Sequence, residues 1–263
     1  MLHLKNVCKC FATGTAHEVN ALQEINLNIP EGDFVTIIGS NGAGKSTLLN
    51  IISGTVLPDR GHVSLNHQDV SKRAEHTRAR FIGRVFQDPL KGTAPSMTIE
   101  ENLALAIKRF GRGFSLGLNN KRRKYFEHIL SQLDLGLEKM LSKKVALLSG
   151  GQRQALTIIM ATMFDPKLLL LDEHTASLDP QISKKIQSIT QSIVKEKKLT
   201  TIMVTHNMQE ALRLGNRTLM MDQGKIIFDV SGKSREKITI DDLLKEFSKL
   251  RKETYIEDEL VLA

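Results

Sequence analysis

Nine consecutive residues, Gly39-Ser40-Asn41-Gly42-Ala43-Gly44-Lys45-Ser46-Thr47, restrict the fold of this chain more than any other stretch. Gly39–Ser46 satisfy G-x-x-x-x-G-K-[ST] at every position, the pattern of a phosphate-binding loop. Small residues let backbone N–H groups curl around phosphate oxygens, and the following helix turns its positive end toward them. Lys45 supplies a point charge for the outer phosphates, and the Ser46 hydroxyl suits a magnesium ligand. The flanks agree: residues 33–38 (DFVTII) read as a short buried strand, and residues 46–52 (STLLNII) as the opening of a helix. The expected ligand is a nucleoside triphosphate.

The elements around this loop set the fold class. Strand-like runs occupy Leu4–Val7, Glu24–Ile29, Phe34–Ile38 and Gly61–Leu65, and another runs from about Arg80 to Phe86, stopped by Gln87-Asp88-Pro89. The pattern then turns helical. Thr98 and Glu101 have the spacing of a capping box, and Ile99, Leu103, Ala106, Ile107 and Phe110 follow a helical period. Residues 111–117 (GRGFSLG) lack G-x-G-x-x-G spacing and read as a loop. A second helix around Tyr125–Leu133 presents Phe126, Ile129, Leu130 and Leu133 on one face.

The apolar run Leu168–Leu171, ending at Asp172, fits a central parallel strand buried on both faces. A helix over Pro180–Lys197 separates it from a strand at Thr200–Thr205. Leu219–Met221 and Ile226–Asp229 read as a hairpin, and Thr239 with Asp242 caps a last helix to about Lys252, ahead of an acidic tail from Tyr255 to Ala263. The expected fold is a single α/β domain with a mainly parallel sheet and an antiparallel β portion. Residues 1–89 and 166–263 form its core, and residues 90–165 an inserted helical lobe.

Composition narrows the partners. No apolar run approaches the roughly 18–20 residues of a membrane-spanning helix, and the first residues do not look like a signal peptide. The net charge of +8 would suit nucleic acid, but the basic residues are scattered and there is no Trp, so no base-stacking platform is evident. Nucleic acid is not expected as a partner; acidic lipid headgroups suit the basic surface better. Cys8 and Cys10, the two cysteines, read as reduced thiols on a strand.

Beyond the loop, two motifs carry chemistry. Asp172 and Glu173 end the apolar strand, where one carboxylate can hold magnesium and the other can polarise an attacking water. Leu148-Ser149-Gly150-Gly151-Gln152 precedes a helix and offers a hydroxyl and helix N-terminal N–H groups to a second phosphate contact. In this order, the motifs resemble the signature set of the ATP-binding cassette (ABC) family, and the resemblance covers nearly the whole chain. Gln87 matches its glutamine loop, Ser177-Leu178-Asp179 the loop after the acidic pair, and His206 the histidine after the next strand. Phe11 is similar to the aromatic that stacks on adenine, where Tyr is commoner.

The resemblance implies a P-loop NTPase fold and ATP with Mg2+ as ligands. Glu173 orients the lytic water, His206 and Gln87 hold it and the γ-phosphate, and Lys45 with magnesium stabilises developing charge. Ser46, Gln87 and Asp172 would hold the metal. The nucleotide would contact Phe11, all of Gly39–Thr47, and Asp179. Ser149, Gly150, Gly151 and Gln152 would close the site from a second copy, or a related cassette, arranged head to tail. The implied complex adds two membrane permease subunits and, indirectly, an extracytoplasmic solute-binding protein, which puts this chain peripherally on the cytoplasmic face of the membrane. The subgroup it looks like is the bacterial importers, with amino acids, aromatic ones included, as cargo. An export or lipoprotein-release ATPase, or a soluble cassette acting on ribosomes or DNA, are the alternatives.

Overall fold

The computed structural model describes residues 1–108 and 119–249. In chain order the strands and helices are β1 (Leu2–Phe11), β2 (Val19–Ile29), β3 (Phe34–Gly39), α1 (Lys45–Ser53), β4 (Arg60–Leu65), β5 (Gln68–Asp69), α2 (Glu75–Arg78) and β6 (Ile82–Val85). There follow α3 (Ile99–Lys108), α4 (Asn120–Ser131), α5 (Gly150–Thr162), β7 (Leu168–Asp172), α6 (Pro180–Lys197), β8 (Thr200–Val204), α7 (Met208–Leu214), β9 (Arg217–Asp222), β10 (Lys225–Ser231) and α8 (Gly232–Lys237). Residues 240–249 form a last helix, α9. The expected loop at 111–117, Phe110 and the acidic tail lie outside the described residues.

The chain divides into two units, Met1–Lys72 with Ile202–Ala263, and Arg73–Thr201. The division falls on either side of the 90–165 lobe expected from composition.

In the first unit, β1, β2, β4 and β5 make an antiparallel sheet in the order β2-β1-β4-β5. A second group of strands lies in the order β10-β9-β3-β8, with β3 parallel to β9 and β9 antiparallel to β10. The buried run Val35, Ile37 and Ile38 explains why β3 is central. The apolar side of α1 (Leu48, Leu49, Ile51 and Ile52) is buried as well, so the loop between them is anchored at both ends in core. Helix α9 joins this core: Leu243 packs with Ile38, Ala211 and Met220, and Phe247 lies against that cluster.

In the second unit β6 and β7 pair in parallel, Ile82 opposite Leu168 through Val85 opposite Leu171. Leu168–Leu171 are wholly buried, as a two-sided strand requires. The capping box before α3 is present: Thr98 N donates to Glu101 Oε2 at 2.7 Å, and Glu101 N to Thr98 Oγ1 at 3.3 Å. Helix α4 starts earlier than the periodicity suggests, because the Asn119 side chain accepts from Arg122 N at 2.9 Å and the basic residues form its exposed first turn. Among the described residues no helix is long and apolar enough to cross a membrane.

Candidate functional site

The phosphate-binding loop belongs to the first unit. Gly44 is the N-cap of α1 at φ 95°, a conformation open to glycine, and a Cβ there would lie 2.4 Å from the Ala21 carbonyl oxygen. Among the described residues no side chain caps this helix, which suits its first turn to an anionic ligand. Lys45 is 6% exposed, and its ammonium donates to the carbonyls of Gly39 at 2.9 Å and Ser40 at 2.8 Å, folding back along the loop. Ser46 and Thr47 are in the first turn of α1, and Asn41 and Gly42 are exposed while Ala43 is buried.

The loop has a brace that sequence reasoning missed. Ser40 Oγ donates to Asp222 Oδ1 at 2.7 Å. The β9–β10 turn adds Gly224 N to the Ala43 carbonyl at 3.1 Å, and the carbonyl of Gly224 accepts from Gln23 N at 2.8 Å. The signal was present in the sequence: Asp222 ends the apolar run Leu219–Met221, just as Asp172 ends Leu168–Leu171.

His206 is exposed just beyond β8, and its neighbours are tightly held. Thr205 N donates to the Ile37 carbonyl at 3.1 Å, tying the turn to β3. The buried Thr205 hydroxyl donates to Glu210 Oε2 at 2.5 Å and accepts from Asn207 N at 3.1 Å, while Asn207 caps α7 through Glu210 N at 3.0 Å. Phe11 ends β1 and is 40% exposed, and the Lys9 ammonium stands 5.3 Å from the ring centre. An exposed aromatic face with a cation nearby is a usable stacking platform.

The second unit carries the rest. Gln87 is exposed in the bend after β6; Asp88 then accepts from Leu90 N at 2.9 Å and starts a short 3-10 turn at Pro89. Asp172 closes β7, and the chain turns at Glu173, whose φ of 43° is left-handed. Such a conformation costs a non-glycine residue about 1–3 kcal/mol and concentrates at functional positions. Ala176 N donates to the Glu173 carbonyl at 3.0 Å, fixing the turn. Asp179 is the N-cap of α6, accepting from Gln181 N at 3.2 Å and Ile182 N at 3.0 Å.

Ser149 caps α5 in a reciprocal box: its hydroxyl accepts from Gln152 N at 3.3 Å, and Gln152 Oε1 accepts from Ser149 N at 3.2 Å. Both residues therefore hold the helix tip, and the Gln152 N–H expected to face a ligand already has a partner. The serine hydroxyl, accepting one bond, retains a proton to donate. Gly150 and Gly151 form the first turn; a Cβ on Gly151 would stand 2.2 Å from Ile182 Cγ2, so close packing of α5 on α6 demands glycine there. Leu147, just before this tip, is 64% exposed.

One titratable group in the turn after β7 is strongly perturbed. His174 is 2% exposed with the Thr190 hydroxyl 3.3 Å from Nε2, and burial pulls its pKa from 6.5 down to about 4. Between those values the unfolded chain binds the extra proton, so this contribution to stability is complete above 6.5 and lost as pH falls toward 4. Going from about pH 7 to about pH 5 should cost about 2 kcal/mol through this group. Thermal melts of His174→Gln should show a shallower decline over that interval than the wild type; parallel declines would contradict the assignment.

The sequence profile of a family described as ABC transporter matches residues 22–176, more than half of the chain. A tyrosine transport ATP-binding protein of Clostridioides difficile (strain R20291) is 45% identical over 249 residues, covering 94% of this chain and 98% of that protein. The thiamine import ATP-binding protein ThiQ of Yersinia pseudotuberculosis serotype I (strain IP32953) is 35% identical over 204 residues, 78% of this chain and 82% of its own. Among solved structures, the dimeric ATP-binding cassette MJ0796 bound to ADP and Pi superposes with a TM-score of 0.76 at 33% identity, covering 88% of this chain and 98% of that one.

Proposed function

The chain belongs to the ABC transporter family of ATPases, and from that premise we propose that it is the ATP-hydrolysing subunit of an importer for an aromatic amino acid of the tyrosine class. The observation that carries this reading is the 45% identity, end to end in both chains, with a tyrosine transport ATP-binding protein.

In this reading Gly39–Thr47 cradles the phosphates of ATP, Lys45 places its charge on the outer ones, and Phe11 stacks on the adenine. Ser46, Asp172 and Gln87 hold magnesium; hydroxyl, carboxylate and amide oxygens are the hard donors this ion takes. Bound there, the ion supplies charge stabilisation to the phosphoryl group in flight. Glu173 takes the proton of the attacking water, and His206 and Gln87 orient it against the terminal phosphate. The strained turn at Glu173 and the double bracing of the His206 turn support these roles.

Two copies close head to tail, the Ser149 tip of one against the nucleotide on the loop of the other. The dimeric state of MJ0796 supports an interface there. Permease subunits in the membrane receive the closing motion, which places this chain peripherally at the cytoplasmic face, and a solute-binding protein outside delivers the cargo. ATP favours the closed pair and ADP does not, so hydrolysis resets the cycle.

The test is reconstitution with the permease and binding protein in liposomes. Tyrosine is expected to raise ATP turnover and to accumulate inside. Stimulation by a chemically unrelated solute, with none by tyrosine, phenylalanine or tryptophan, would overturn the cargo assignment.

A further inference from the structure

Arg84 belongs to none of the motifs above, yet its guanidinium is set against one of the carboxylates they contain. In the β6–β7 pair Arg84 stands opposite Leu170. Side chains alternate along a strand, so Arg84 shares a face of the pair with Leu170 and Asp172. Arg84 Nη2 lies 3.7 Å from Asp172 Oδ2, and both side chains are mostly withdrawn from water, 10% and 15% exposed. On its other side the guanidinium carbon is 4.6 Å from the centre of the Phe86 ring, the residue that precedes Gln87. Glu75 adds a second negative charge toward Arg84, and Glu75, Arg84 and Phe86 line one cavity of about 470 Å3.

We propose that Arg84 is a positioning residue for Asp172, its charge 3.7 Å from one carboxylate oxygen keeping the carboxylate in the orientation in which it accepts a divalent cation. The inference rests on the reading of Asp172 as a magnesium ligand and extends it to the residue behind that ligand. The chemistry favours arginine in the role. A planar guanidinium stacked on an aromatic ring has little freedom left, so it aims its N–H groups in a set direction, which a lysine ammonium does not. Partners behind a metal ligand govern its geometry and basicity, and their loss costs about 10–100-fold in metal affinity. The placement of Phe86 next to Gln87 also gives the glutamine loop a physical link to Asp172 through the same guanidinium.

The experiment titrates Mn2+ into the full-length chain holding ADP, read by electron paramagnetic resonance, with metal-free ADP binding measured separately by fluorescence. Arg84→Gln is expected to weaken Mn2+ binding about 10-fold and leave metal-free ADP binding at the wild-type value. Arg84→Lys, which keeps the charge without the fork, should show a smaller loss of Mn2+ affinity. Wild-type Mn2+ affinity in a folded Arg84→Gln chain overturns the proposal. So does an equal loss of metal-free ADP binding, which would mark a general structural role. If Arg84→Gln does not fold, Arg84→Lys decides in the same way, wild-type Mn2+ affinity counting against the proposal. Asp172→Asn separates the two layers. If it too binds Mn2+ normally, the underlying reading of Asp172 fails; if it alone loses Mn2+, only the role of Arg84 fails.

Discussion

Glu173→Gln is expected to lower ATP turnover by about 10²–10⁴-fold while ATP binding stays intact. The amide has the size of the carboxylate but cannot take a proton from water. Nothing about the turn should change, because it depends on the backbone: φ is 43° at this position, and Ala176 N donates to the Glu173 carbonyl whichever side chain is present. The phosphate cradle belongs to other residues, so nucleotide affinity should be kept. Phosphate release at saturating ATP, beside equilibrium binding of a fluorescent ATP analogue, gives both quantities. Turnover within a factor of about three of wild type would remove Glu173 from the role of base.

Lys45→Met should act on the other quantity. The Lys45 ammonium, nearly buried, makes two charge-assisted hydrogen bonds to loop carbonyls, 2.9 and 2.8 Å long, and in the proposed complex redirects its charge to the phosphates. Hydrogen bonds to a charged group contribute about 1.5–3 kcal/mol each, so losing the phosphate contacts should weaken ATP binding about 100-fold. The methionine fills similar space, so the fold should survive. Titration calorimetry checks the affinity and circular dichroism the fold. A folded Lys45→Met chain that binds ATP like the wild type would contradict the assignment of the loop.

Much of this was legible in the sequence because the determinants are local. The loop is contiguous, its strand and helix are marked by uninterrupted apolar residues, and the boxes at Thr98 and Thr239 place the starts of α3 and α9. The buried run before Asp172 identifies β7 in the same way. What was missed depends on residues far apart in the chain. The Ser40–Asp222 bond spans 182 positions, and no periodicity announces it. Arg84 reads as a charged residue in a short strand until β6 is laid beside β7. Asp179 and Gln152 were legible as members of a nucleotide-binding motif, but their capping bonds appear only with the helices in place. Gly151 looked like a phosphate-contacting glycine; the packing of Ile182 gives it a structural reason as well.

In the proposed function two polypeptides share each nucleotide, and cross-linking tests this most directly. In a Glu173→Gln background with Cys8 and Cys10 changed to serine, one tagged chain carries Asn41→Cys in the exposed loop. A differently tagged chain carries Leu147→Cys beside the α5 tip. Mixed with saturating ATP and a short bis-maleimide, the two chains are expected to join into a doubly tagged species that does not form without nucleotide. Chains that remain separate at saturating ATP, with binding verified in the same sample, would contradict the shared site.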